Sequence, residues 1–215
     1  MTQNNLIRKA VIKRKTNEVD INGLFNIDGS GITKIQTGFE PLNHLLTLCC
    51  FHGLFDLDLD AKGDLPHHII EDIGIALGKT FKTTLADKQG ISRYGCFTVA
   101  MDKVAVEAVI DISGRPSLEG KVLVEKTRVD IRPVYELKDD EAFDNTDFTF
   151  KHAEEFLESF LQHSGISLVY IIKSGEGDLH HILEALFKAI GKAIDMAIQI
   201  DPRRKGVPST KGIID

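Results

Sequence analysis

The sequence predicts an α+β fold made of two duplicated half-domains, each a mostly antiparallel four-stranded sheet with its helices on one face. Three observations lead there. A short cluster is written twice, as Gly63-Asp64-Leu65-Pro66-His67-His68-Ile69-Ile70-Glu71 and as Gly177-Asp178-Leu179-His180-His181-Ile182-Leu183-Glu184. Superposing the two His-His pairs brings Ala76, Gly78 and Lys79 opposite Ala189, Gly191 and Lys192, so the likeness runs on past the cluster, as in an internal duplication. The order of alternating and helix-period segments also recurs, each half ending on a His-His helix. Strands mixed with amphipathic helices in this way pack as a two-layer sandwich.

In the first half, Val19 to Ile27 alternates like a half-buried strand and runs into Asp28-Gly29-Ser30-Gly31, whose glycines suit a tight turn into a return strand, Gly31 to Gln36. Leu42 to Phe51 is apolar at helical spacing, Leu54 to Leu59 alternates again, and the first His-His helix follows. In the second half, Gly95 to Asp111 and Lys121 to Ile131 read as strands, Phe150 to Gln162 as a helix, Ile166 to Lys173 as a strand and His180 to Ile200 as a helix. The halves are expected to meet near Ala86 to Tyr94, giving units 1–92 and 93–200 and a tail 201–215. Asp139 to Asp147 is acidic without apolar periodicity and reads as a solvated loop with no chemistry.

Composition excludes several classes. A net charge of -6 gives no basic field for nucleic acid or anionic lipid. No apolar run reaches the roughly 20 residues that span a bilayer, and Met1 to Asn5 lacks the apolar stretch of a signal peptide, so a soluble, cytoplasmic protein is expected. Cys49, Cys50 and Cys96 are odd in number and lack CxxC spacing, which argues for buried free thiols over a disulfide framework.

The duplicated cluster carries the chemistry. On a helix, a glutamate four residues after a histidine returns to the same face, so imidazole and carboxylate can point at one ion. That spacing occurs at His67/Glu71 and at His180/Glu184. His152 and His163 lie outside the clusters and read as exposed helix histidines. Pro208-Ser209-Thr210-Lys211-Gly212 in the tail offers hydroxyl, backbone N–H and ammonium donors to an anion, or is simply a frayed basic end.

Taken together these segments resemble the imidazoleglycerol-phosphate dehydratase family. The likeness runs from about Arg14 to Gly212. It rests on Arg14 to Glu18, Leu24 to Gly31, Thr37-Gly38 with Leu42-Asn43-His44, both His-His clusters, Asp87 to Gly95, Asp111 to Pro116, and Pro208 to Gly212. The resemblance implies the ribosomal protein S5 domain 2-like fold. It also implies a two-metal site, two Mn²⁺ per subunit, with ligands His44, His67, His68, Glu71, His180, His181 and Glu184. Ligand type alone admits Zn²⁺, Fe²⁺ or Co²⁺ equally. The assembly implied is a homo-oligomer of 24 subunits built from trimers, with sites shared between subunits.

The reaction so implied is dehydration of D-erythro-imidazole-glycerol phosphate to imidazole-acetol phosphate in histidine biosynthesis. Glu18 would act as general acid/base, with His67 and Glu184 at the catalytic centre. The phosphate would be held by Arg93, Arg115, Lys188, Ser209 and Lys211, with His52 as a possible addition. The chain departs from the family pattern in three places. Val169 stands where a Thr-Leu-His strand supplies a further histidine, which puts one metal site in doubt. Pro66 precedes the first histidines and could shift the helix start, and Lys103 replaces an acidic residue after Met101-Asp102. These departures leave a catalytically impaired or redirected metal- and ligand-binding relative as the alternative.

Overall fold

The computed structural model describes residues 8–122, 142–144, 146–175 and 178–214. The first half comprises β1 (Lys9–Lys15), β2 (Val19–Asn26), β3 (Thr33–Gln36), α1 (Glu40–Gly53), β4 (Asp56–Gly63) and α2 (Pro66–Leu85). The second repeats the order with β5 (Tyr94–Met101), β6 (Val104–Asp111), β7 (Ser117–Val122), α3 (Phe150–Ser164), β8 (Ser167–Gly175) and α4 (Leu179–Ile198). Strand order is β1-β2-β4-β3 in one sheet and β5-β6-β8-β7 in the other. Each sheet has two antiparallel pairings and one parallel pairing, β3 with β4 and β7 with β8. A parallel neighbour needs a crossover, and α1 and α3 supply it. The α+β duplication expected from the sequence is thus present.

Several boundaries differ from the expected ones. The Asp28–Gly31 turn does not return the chain beside β2, because β3 pairs with β4. Asp56 at the start of β4 fixes that loop, its Oδ1 accepting from the N–H groups of Ser30 (2.8 Å) and Ile32 (3.0 Å). β1 carries no alternating signal, because it is an edge strand rich in basic residues in which Ile12 alone is fully buried. Gly95 to Asp111 is a hairpin broken at Asp102, whose φ is 51°. The strand expected at Lys121 to Ile131 is described only in part, as the end of β7; residues 123–131 lie outside the described residues.

The helices of the two halves pack on one another, α1 on α4 and α2 on α3, with a sheet on each outer side. One close approach of backbones recurs in both helix pairs. A Cβ at Gly78 would strike the Phe160 carbonyl and the Ser164 N, and one at Gly191 the Cys49 carbonyl and the Gly53 N. The shift from α2 to α4 is thus 113 residues and from α1 to α3 it is 111. One buried apolar cluster runs through both sheets and all four helices. Cys50 lies in it and burial pushes the Cys49 thiol up to about 12. Cys96, expected to be buried, is exposed because it alternates onto the outer face of β5.

Candidate metal centre

The centre is built at the N-terminal end of α4, where Asp178 caps the helix by accepting from the His181 N–H at 3.0 Å. One turn in, Glu184 is 8 % exposed. Its Oε1 accepts from His180 Nε2 at 2.9 Å and from His44 Nε2, carried by α1, at 2.5 Å. The three ligand atoms lie within 4.8 Å of one another. Lys188, a turn further on, donates to the other oxygen, Oε2, at 2.6 Å. Burial would raise the Glu184 carboxyl, but Lys188, His44 and His180 together outweigh it and bring it down to about 2. On His180 burial acts downward, and Glu184 and Asp144 more than offset it, so the imidazole is held above its ordinary 6.5. Two nitrogens and one carboxylate oxygen fit a divalent first-row metal.

The first cluster lies apart from this group. α2 begins at Pro66, in the position where a missing N–H costs nothing, and α4 begins at Leu179, so both helices start one residue before their histidines and Pro66 does not shift the start. The His67 and His68 rings meet edge-on at 4.2 Å, and Glu71 is exposed on the same helix. Glu18, in the turn between β1 and β2, places Oε2 4.0 Å from His68 Nδ1. Among the described residues, only His44, His180 and Glu184 converge as a possible metal group. The His181 Nε2 faces Asp102 at 3.3 Å.

The anion-binding candidates divide. Lys188 sits inside the metal group and also reaches Met101 Sδ at 3.3 Å. His52, in the last turn of α1, is pulled down by burial and by the neighbouring Lys188 and Lys192. Arg93 is far off: its backbone N–H donates to the Ala197 carbonyl, at the other end of α4. Its guanidinium forks onto Asp111 (2.7 and 3.1 Å) and donates to the Pro208 carbonyl at 3.0 Å, so it fastens the tail. Ser209 Oγ accepts from the Lys211 N–H at 3.2 Å, while the Lys211 and Arg115 side chains are exposed. The tail is docked, not frayed. Residues 184 and 197 of one straight helix lie about 20 Å apart at 1.5 Å per residue.

The structure also places the remaining positions that the sequence singles out, and it corrects the readings of the acidic stretch and of His152 and His163 as solvated. Val169 projects from the face of β8 opposite Leu168, Tyr170 and Ile172, which are buried against the helices, so it does not border the triad of its own subunit. Lys103 lies in the β5–β6 turn, where its carbonyl accepts from Ser174 Oγ at 2.7 Å. The acidic stretch is not simply solvated: Phe143 is buried and stacks on the His180 ring (4.5 Å, 14°), and Asp144 Oδ2 accepts from His180 Nδ1 at 2.6 Å. No periodicity marks a two-residue clamp of this kind. His152 is half-buried and its Nδ1 accepts from the Thr149 N–H at the start of α3; His163, also half-buried, donates to the Ser159 carbonyl. A further residue follows from the shift of 111, which places Glu155 of α3 at the position of His44 in α1.

Comparison with known proteins decides the family. The model of the imidazoleglycerol-phosphate dehydratase family matches residues 37–194. The chain belongs to the imidazoleglycerol-phosphate dehydratase family. It is 47 % identical to the enzyme of that name from Pelobacter propionicus over 212 residues, covering 97 % of this chain and all of that one. Against the Prochlorococcus marinus enzyme it is 40 % identical over 213 residues, covering 97 % and 98 %. The solved dehydratase from Staphylococcus aureus superposes with a TM-score of 0.72 at 29 % identity, covering 89 % of this chain and 100 % of that one. That from Pyrococcus furiosus gives 0.71 at 29 %, covering 94 % and 99 %. The dehydratase activity is that of a hydro-lyase in histidine biosynthesis. No helix among the described residues is long and apolar enough to cross a membrane.

Proposed function

We propose that this dehydratase works at a composite site, in which the metal-binding helix ends of one subunit meet the tail of another. The observation that carries the reading is the convergence of His44 Nε2, His180 Nε2 and Glu184 Oε1 within 4.8 Å. The distance of about 20 Å between that group and the Arg93 end of α4 supports the composite arrangement, since one ring, a three-carbon chain and a phosphate cannot bridge it. A homo-oligomer of 24 subunits built from trimers would bring the two ends together, in the cytoplasm, with units 1–92, 93–200 and the tail 201–215 as its parts.

Two Mn²⁺ per subunit are the cations this reading assigns, with His44, His180 and Glu184 toward one and His67, His68, Glu71 and His181 completing the pair. Glu155, at the position equivalent to His44, would make the other set richer in oxygen. The bound cations supply Lewis-acid polarisation and a template for the substrate ring. The protein's own groups do the rest. Glu18, half exposed beside His68, takes the proton from the substrate carbon and returns one to the departing hydroxyl. Lys188 keeps Glu184 ionised. Ser209, Lys211 and Arg115 offer donors to the phosphate, Arg93 holds that tail in place, and His52 adds a ring beside Lys188.

The test is a dehydratase assay on metal-stripped protein with Mn²⁺ added back, following imidazole-acetol phosphate. Turnover restored by Mn²⁺ and lost in His67→Ala and Glu184→Ala is the expected result. Absence of turnover from folded, metal-loaded protein would overturn the reading and leave Val169 and Lys103 as the residues to revert.

A further inference from the structure

The aspartate near the start of each copy of the duplicated cluster has no part in the chemistry so far, yet in both copies its carboxylate stands against a histidine Nδ1, as a hydrogen bond from His68 to Asp64 and as an ion pair between His181 and Asp178. Asp64 Oδ1 lies 2.8 Å from His68 Nδ1, and Asp178 Oδ1 lies 2.8 Å from His181 Nδ1. The contact survives a change of spacing: Pro66 puts Asp64 four residues before its histidine, whereas Asp178 is three residues before His181. Asp178 caps its helix and holds the ring at once, while α2 has no side-chain cap and Asp64 keeps the ring contact, its Oδ1 also accepting from the Leu65 N–H at 2.7 Å. The ring contact is what the two copies share. His180 has a carboxylate on Nδ1 as well, from Asp144 at 2.6 Å, and the stacked Phe143 fixes the plane of that ring.

An ionised carboxylate only accepts hydrogen bonds, so the Nδ1 of His68 and of His180 carries the ring hydrogen, and Asp178 favours the same tautomer in His181. A cation that displaces the Nε2 hydrogen which His180 gives to Glu184 meets a lone pair there, and the carboxylate on Nδ1 makes Nε2 more basic. The other acidic groups near these rings are Glu18, 4.0 Å from His68 Nδ1, Asp72, whose charge also acts on His68, Asp102, 3.3 Å from His181 Nε2, and Glu184, 2.9 Å from His180 Nε2. Glu18 and Asp102 lie farther from the rings than Asp64 and Asp178, and Glu184 is the ligand that would share the cation with His180.

We propose that Asp64 and Asp178 are a duplicated pair of positioning residues that lock His68 and His181 with Nε2 facing the cation, and that Asp144 does the same for His180. The inference rests on the metal reading above. It makes the Gly-Asp-Leu step part of the centre and assigns a role to the loop carrying Asp144.

The experiment measures Mn²⁺ affinity of the metal-stripped full chain by competition with a fluorescent chelator, alongside the melting temperature of the metal-free protein. Asp178→Ser keeps a helix cap but is too short to hold the ring. With Asp64→Ala, it should weaken Mn²⁺ binding by about 10- to 100-fold at the affected site while the metal-free protein stays folded. Asp64→Asn and Asp178→Asn, which retain an acceptor oxygen, should recover most of the loss; at Asp64, which caps no helix, a purely structural role does not predict that rescue. Asp144→Ala should weaken binding to a similar degree. Affinity within twofold of wild type in folded Asp64→Ala and Asp178→Ser proteins overturns the inference alone. A wild-type protein that takes up no Mn²⁺ overturns the metal reading and the inference with it.

Discussion

Lys188 Nζ donates to Glu184 Oε2 at 2.6 Å and leaves the opposite carboxylate oxygen to two imidazoles. The lysine is 17 % exposed and the glutamate 8 %, so the pair is shielded from solvent. Removing one partner of a shielded pair leaves the other charge poorly compensated. Lys188→Met should cost the metal-free protein about 2 kcal/mol, less than a fully orphaned charge because two histidines remain. Urea unfolding measures it, and a loss under about 0.5 kcal/mol would show that the imidazoles alone suffice.

The pH dependence of the metal-free protein has a defined sign. Glu184, lowered to about 2, contributes stability that is present above 4.5 and lost as pH falls toward 2. His180, raised above 6.5, contributes stability that is present below 6.5 and lost as pH climbs through its raised value. Stabilisation by this pair should therefore peak between 4.5 and 6.5. Glu184→Gln should remove at most about 3 kcal/mol in that window and almost nothing near pH 2. Melting curves of the two proteins from pH 2 to 9 provide the check; a difference independent of pH would contradict the assignment.

Gly78 and Gly191 give a test of opposite sign to helix propensity. Alanine in a helix is ordinarily about 1 kcal/mol better than glycine. Here an added Cβ runs into the Phe160 carbonyl or the Cys49 carbonyl of the facing helix. Gly78→Ala and Gly191→Ala should each destabilise by about 1–3 kcal/mol through forced separation of the helices. Stabilisation in either variant would mean that the helix pairs are more loosely packed than described.

Arg93 ties Asp111 to the Pro208 carbonyl, and a lysine can reach one of these but not both with the same geometry. Arg93→Lys should release the tail. Limited trypsin cleavage at Arg203, Arg204 and Lys205 should quicken by about tenfold, with a larger effect on KM than on kcat. Unchanged cleavage would mean that the tail is held by its own turns and by the bond from the Gly90 N–H to the Gly206 carbonyl.

Much of this was legible in the sequence because the duplicated cluster is local: a His and a Glu four apart on one helix announce a shared face, and His180 and Glu184 do meet. His44 was reached only through family likeness, since nothing local ties a residue of α1 to one of α4 across 140 positions. The return strand was misplaced because a Gly-rich turn carries no information about which strand the chain pairs with next. β3 pairs with β4 by a parallel crossover, which depends on α1 packing. Asp144 was unreadable for the same physical reason, since its partner is fixed by where the loop lands. The roles of Asp64 and Asp178 were written in the repeat itself, but an aspartate before a helix is explained so readily as a cap that its ring contact is hidden.

The two ends of α4 also have a genetic consequence. A lesion at Glu184 spoils the metal end of a subunit and leaves its Arg93 end intact, and a lesion at Arg93 does the reverse. Under the composite arrangement, an assembly mixed from the two defective chains contains junctions where only the undamaged ends face each other. Co-expression of two inactive alleles would then restore part of the activity, whereas either allele alone would dilute that of the wild type.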